Sequence, residues 1–122
     1  MRRKTILIFD EDEDNRLVGF AAWRIKTEEL AGMTPVGEVR WMGIVPDRQR
    51  EGIGAQLLAN ALQIMFHENG SELLIRIDVD TENANARHAY ERWGFEHFQH
   101  FESGDKQYEM LLLRPSTDSE QP

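Results

Sequence analysis

The sequence predicts a single mixed α/β domain in which a central, mostly antiparallel sheet contains one parallel strand pair and is flanked by helices. Three observations lead there. Segments rich in β-branched and aromatic residues fold back on themselves near both ends of the chain, residues 5–9 with 16–26 and residues 97–101 with 107–113. Between these hairpins, Ile53, Leu57, Leu58, Ala61, Leu62 and Met65 recur at helical spacing. Strand-like runs at 38–45 and 73–79 stand on either side of that helix, and a helical crossover makes two such strands parallel.

The first hairpin turns through Asp10-Glu11-Asp12-Glu13-Asp14-Asn15. An EF-hand calcium loop beginning at Asp10 would need Gly at position 15 and Glu at position 21, where the chain has Asn15 and Ala21, so a solvated turn is expected. A polar connection at 27–37 contains Gly32, Pro35 and Gly37. In the strand at 38–45, alternation places Glu38, Arg40, Met42 and Ile44 on one face and Val39, Trp41 and Val45 on the other. The helix that follows ends at Asn69 and Gly70. His67 near its end has Ser71 where a metalloprotease motif needs a second His, and it is expected on the surface. The apolar run at 73–79 suits a buried strand, and Asp80 or Thr81 is placed to cap the helix carrying Tyr90. Ser103, Gly104 and Asp105 turn the last hairpin, and residues 114–122 read as a loose tail beyond a core at about 5–113.

Composition narrows the function. With 122 residues and 40% hydrophobic content, the chain has one modest core and no second domain. It has no cysteine, which excludes disulfides, thiolate catalysis and cysteine zinc sites, and no metal is expected. The net charge of −8 owes five charges to residues 10–14 and two to Asp118 and Glu120, so the remaining body carries only about −1. No basic stripe suits a nucleic acid. Nor does any segment approach the roughly 18 apolar residues of a membrane span, and a cytoplasmic protein is expected.

The most informative stretch is Gln49-Arg50-Glu51-Gly52-Ile53-Gly54. A glycine turn that opens a helix gathers free backbone N–H groups at the positive end of the helix dipole, which suits a pyrophosphate. A dinucleotide fingerprint starting at Gly52 would need a small residue at position 57, which is Leu57, and a P-loop would need Gly-Lys-Ser/Thr, which is absent. Downstream, residues 83–95 read N-x-x-A-x-x-x-Y-x-x-x-G-F, with Asn83, Ala86, Arg87 and Tyr90 on one face of a helix.

The two motifs together resemble the GNAT superfamily of acetyl-CoA-dependent N-acetyltransferases. The resemblance covers roughly residues 5–113 and implies the GNAT-type fold, with its parallel strand pair splayed at the cofactor site. It also implies that acetyl-CoA or coenzyme A is bound by Ile44, Val45, Gln49, Arg50, Glu51, Gly52, Ile53, Gly54, Ala55, Asn83, Ala86 and Tyr90. The backbone of Ile44 and Val45 matches the position that meets pantetheine and the thioester oxygen.

Acyl transfer to an amine needs a base, an oxyanion donor and an acid for the departing thiolate. Tyr90 is the candidate acid. Glu38 is the candidate base, at the strand position where histone-type members carry theirs; ordered water is the alternative, and pairing of Glu38 with Arg40 is its structural counterpart. Arg48 and Arg50 are placed to meet phosphates, although Arg50 and Glu51 stand where the family often has Gly and Lys.

The expected function is direct transfer of an acetyl group from acetyl-CoA to a primary amine on a small molecule, peptide or protein. A non-catalytic coenzyme A-binding or protein-interaction domain is the alternative, because the strand and two helices with which the family normally opens are missing here. An apolar sheet face left open by their absence favours self-association, a homodimer being the simplest form. A third reading, an acidic interaction module, predicts no cofactor.

Overall fold

A computed structural model describes residues 2–10, 16–44 and 52–115. The elements run β1 (Arg2–Asp10), β2 (Arg16–Lys26), β3 (Val36–Ile44), α1 (Ile53–Asn69), β4 (Leu74–Asp80), α2 (Ala84–Arg92), β5 (Glu96–Ser103) and β6 (Lys106–Leu113). They form a six-stranded sheet in the order β1-β2-β3-β4-β6-β5. Every neighbouring pair is antiparallel except β3 with β4. This is the mixed architecture the sequence predicts, with a longer first strand. The acidic turn at 11–15 and the tail from 116 onward lie outside the described residues.

One sheet face carries both helices. Leu57, Leu58, Ala61, Leu62 and Met65 of α1 are buried against Trp23, Val39, Ile75 and Ile77, and Ala86 and Tyr90 of α2 pack on the same cluster. The helix stops where Gly70 takes a positive φ of 93° and its N–H bonds the carbonyl of Phe66 at 2.8 Å. Close approach of α1 to β3 depends on Gly37, where an added Cβ would fall 2.4 Å from Met65 Cε. The opposite face has a smaller cluster of Val36, Leu74, Met110 and Leu112. Leu30 and Met33 of the 27–35 connection and Phe98 and Phe101 of β5 pack against it.

Two sequence expectations are corrected. Simple alternation fails along β3, because Ala22 pairs with Trp41 while Trp23 pairs with Val39. Arg40 is therefore an extra residue on β3, a bulge that turns the strand's remaining side chains over. Glu38 and Arg40 stay together on one face, whereas Met42 and Ile44 move to the α1 side and pack on its core. The cap of α2 is also not Asp80 or Thr81. Asn83 Oδ1 accepts from the Ala86 N–H at 3.1 Å, while Asp80 Oδ1 accepts from the Glu82 N–H in the preceding turn.

The parallel pairing is short. Residues 36–39 pair with 74–77, and beyond that point β3 continues to Ile44 and β4 to Asp80 without pairing to each other. The sheet opens there into a cleft between two strands whose backbone groups are not exchanged across the gap.

Candidate functional site

The open end of β3 lies beside the first turn of α1 on the helix-bearing face, and α2 packs on the same core. Gly52 takes φ 80° and ψ 3°, a left-handed conformation that glycine adopts without the Cβ penalty, and among the described residues nothing lies within 4 Å of an added Cβ. Its glycine identity thus serves the turn and leaves space above it. At Gly54 an added Cβ would meet only Ile44 Cγ1, at 4.0 Å, so the end of β3 and the start of α1 are neighbours. The first turn of α1 has no side-chain cap and no acidic residue. Its leading N–H groups and positive dipole end fit an anion. Ile53 and Ile44 rest on the core and Ala55 is exposed. Of the predicted cofactor residues, Val45, Gln49, Arg50 and Glu51 lie outside the described residues.

On α2, Tyr90 and Ala86 pack against the core that also receives Met42, Ile44 and Ile53. The Tyr90 ring meets Phe95 at a centroid distance of 5.9 Å, and burial holds its phenol above the ordinary value of 10. A phenol so placed keeps its proton at neutral pH, as a proton donor must. Asn83 uses its carbonyl oxygen as the α2 cap. Arg87, on the same helix, lies 3.4 Å from Glu109 and 3.7 Å from Glu91.

Glu38 sits on the other side of β3 and is only 2% exposed. Its Oε1 accepts from Arg24 Nε at 2.9 Å and from Arg40 Nη1 at 2.8 Å, while Arg76 and Lys26 stand 3.7 and 3.9 Å from Oε2. Burial alone would raise its pKa, but hydrogen bonds from Arg40 and Arg24 and the charge of Arg76 outweigh burial and hold it below the ordinary carboxylate value. Arg76 is fixed in turn by a two-pronged contact with Asp78 at 2.9 and 3.0 Å. Beside this cluster is a hollow of about 170 Å³ bordered by Glu38, Arg76, Lys26, Leu30, Glu28 and Glu29.

Glu38 therefore shares β3 with Ile44 but faces away from Ile44's side chain, a separation produced by the Arg40 bulge. The Arg40 partner is legible in the sequence as a neighbour at i+2. Arg24, Lys26 and Arg76 are not, although Arg24 and Lys26 alternate along β2 and Arg76, Asp78 and Asp80 along β4, the pattern that marks a polar sheet face. Among the described residues, no helix is long and apolar enough to cross a membrane.

Known proteins resemble this chain in sequence and in fold. The sequence model of the acetyltransferase (GNAT) family matches residues 2–95. A mycothiol acetyltransferase of Rhodococcus opacus is 32% identical over 93 residues, 75% of this chain and 29% of that protein. The chain thus spans less than a third of the length of the curated relatives it matches. Among solved structures, the NatC complex bound to Gag peptide and coenzyme A matches with a TM-score of 0.78 at 18% identity, over 92% of this chain and 71% of that one. Mutant forms of the spermidine/spermine N-acetyltransferase SpeG of Vibrio cholerae match with a TM-score of 0.72 at 21% identity, over 98% and 70%. At those identities the structural likeness speaks for the fold.

Proposed function

The chain belongs to the acetyltransferase (GNAT) family, and from that premise we propose that it transfers an acetyl group from acetyl-CoA to a primary amine by direct attack. The observation that carries the proposal is the open end of the β3–β4 pair beside an uncapped helix start at Gly52. Strand ends that do not pair with each other leave room between them for an extended amide-bearing arm, and the helix start suits the pyrophosphate at that arm's far end. Coenzyme A has both parts.

In this reading the backbone near Ile44 orients the thioester and offers a donor to the developing oxyanion. Tyr90 supplies the proton that the thiolate takes up, its ring held by Phe95. The amine enters from the hollow bordered by Glu28, Glu29 and Glu38 together with Lys26 and Arg76, where the exposed Glu28 and Glu29 offer it carboxylates beyond the caged one. Glu38 is ionised at neutral pH, as a base must be, but its cations make it a weak one. The proton therefore leaves through water that Glu38 and its arginines order, with Glu38 as the electrostatic anchor of the relay. Relatives named for mycothiol and for spermidine make small amines the first acceptors to examine.

The caged Glu38 also favours a second reading, in which coenzyme A is bound without turnover. Calorimetry with coenzyme A tests the binding common to both, and absence of heat would overturn both. Thiol release from acetyl-CoA across a panel of amines then separates them, since only the enzyme releases thiol faster than the uncatalysed background.

A further inference from the structure

We propose that His97, His100 and Glu109 form a binding site for one divalent transition-metal ion, of which Zn²⁺ is the type, on the α2-bearing face of the β5–β6 hairpin. Residues three apart on a regular strand point to opposite faces. Here the register shifts between His97 and Gln99: His97 pairs with Leu111, Gln99 with Met110 and His100 with Glu109, leaving Phe98 as the extra residue. The bulge brings both imidazoles over Glu109, with ring centroids 4.6 Å apart, while Phe98 turns to the opposite core.

The ligand atoms of the three residues all lie within 4.8 Å of one another. Metal–ligand bonds of about 2.0–2.1 Å at tetrahedral angles separate ligand atoms by roughly 3.3 Å. Closure thus asks His97 Nδ1, now 2.6 Å from Glu109 Oε2, to move out slightly, and the more distant ligand atoms to move in by about 1.5 Å. Both histidines are exposed and have room for these adjustments. Glu109 is fixed, 2% exposed in the middle of β6.

Two neutral imidazoles and a carboxylate suit Zn²⁺, with water completing the shell. Arg87 opposes the ion from 3.4 Å off Glu109 Oε1. Arg87 is half exposed and also lies 3.7 Å from Glu91, so it has a second carboxylate to pair with when the ion takes over Glu109. The ion would tie the edge strand β5 to β6 and release Arg87 from the sheet.

The chain contains four histidines, and His67 and His88 provide internal controls. Tag-free protein stripped with chelator is titrated with Zn²⁺ by calorimetry and with Co²⁺ by visible absorption, which reports a tetrahedral nitrogen–oxygen shell. One equivalent is expected to bind, with affinity at least roughly 10-fold lower in His97→Ala and in His100→Ala. His67→Ala and His88→Ala are expected to bind as the parent does. Absence of stoichiometric uptake, or uptake that survives the His97→Ala/His100→Ala double variant, overturns the proposal. The measurement involves neither coenzyme A nor an amine, so its result is independent of the acetyltransferase reading.

Discussion

Arg24 and Glu38 are direct partners across the β2–β3 ladder, and the Arg24 Nε donates to Glu38 Oε1 at 2.9 Å. This joins one of several cations to a carboxylate that is itself withdrawn from solvent, with Arg40, Arg76 and Lys26 close by. Removing the carboxylate from the cluster leaves Arg24, Arg40 and Arg76 crowded without it. Glu38→Gln is expected to destabilise the fold by about 3 kcal/mol in denaturant titration. If it also lowers turnover, comparison at matched folded fraction separates the two effects.

The same carboxylate sets an acid limit. Its folded pKa lies below the ordinary 4.5, so its contribution to stability is complete above about that pH and is lost as pH falls through the lower folded value. Melting temperature followed downward from neutral pH should therefore fall below about 4.5, and the fall should be shallower in Glu38→Gln.

Gly52 separates conformation from space. Its positive φ penalises any side chain, while nothing obstructs the Cβ itself. Gly52→Ala is expected to cost roughly 1–2 kcal/mol. Gly52→Glu should cost a similar amount and in addition abolish coenzyme A binding in calorimetry, because it puts a negative charge at an anion-favouring helix start. Equal affinity in the parent and the Glu variant would remove this turn from the cofactor site.

Tyr90→Phe keeps the ring against Phe95 and deletes only the hydroxyl. A turnover loss of roughly 10²–10⁴-fold, with melting nearly unchanged, is the expected signature of a proton donor. Unchanged thiol release would return Tyr90 to a packing role.

Gly37→Ala probes the α1–β3 contact on the sheet face opposite the Glu38 cluster. Its methyl would meet Met65 Cε, Leu73 Cδ2 and Ile75 Cδ1 at 2.4, 2.9 and 3.1 Å. Overpacking of this kind should cost about 1–3 kcal/mol by chemical denaturation, softened by the flexibility of Met65.

Much of this fold is legible in the sequence because period and punctuation agree. The α1 core residues are the ones their spacing selects, Gly70 ends that helix, and the strand expected at 73–79 is β4 at Leu74–Asp80, parallel to β3. What alternation cannot show is a bulge. One added residue at Arg40 reverses Met42 and Ile44, and one at Phe98 gathers two histidines, although neither site has a glycine or proline to announce it. The α2 cap is hidden in the sequence as well. Asp80, Thr81 and Asn83 are all competent caps, and the turn closed by Asp80 and Glu82 decides among them. The cage around Glu38 depends on strand neighbours distant in sequence, so only the lateral order of the sheet reveals it.

The short run of parallel pairing at 36–39 with 74–77 has a mechanical consequence. It is a seam between two antiparallel three-strand leaves, β1-β2-β3 and β4-β6-β5, each hydrogen-bonded within itself. Turning one leaf against the other about that seam changes the width of the mouth without opening either leaf's own ladder. Any ligand that spans the mouth would act as a strap across the two leaves, so its binding would be felt first in the exchange of seam amides.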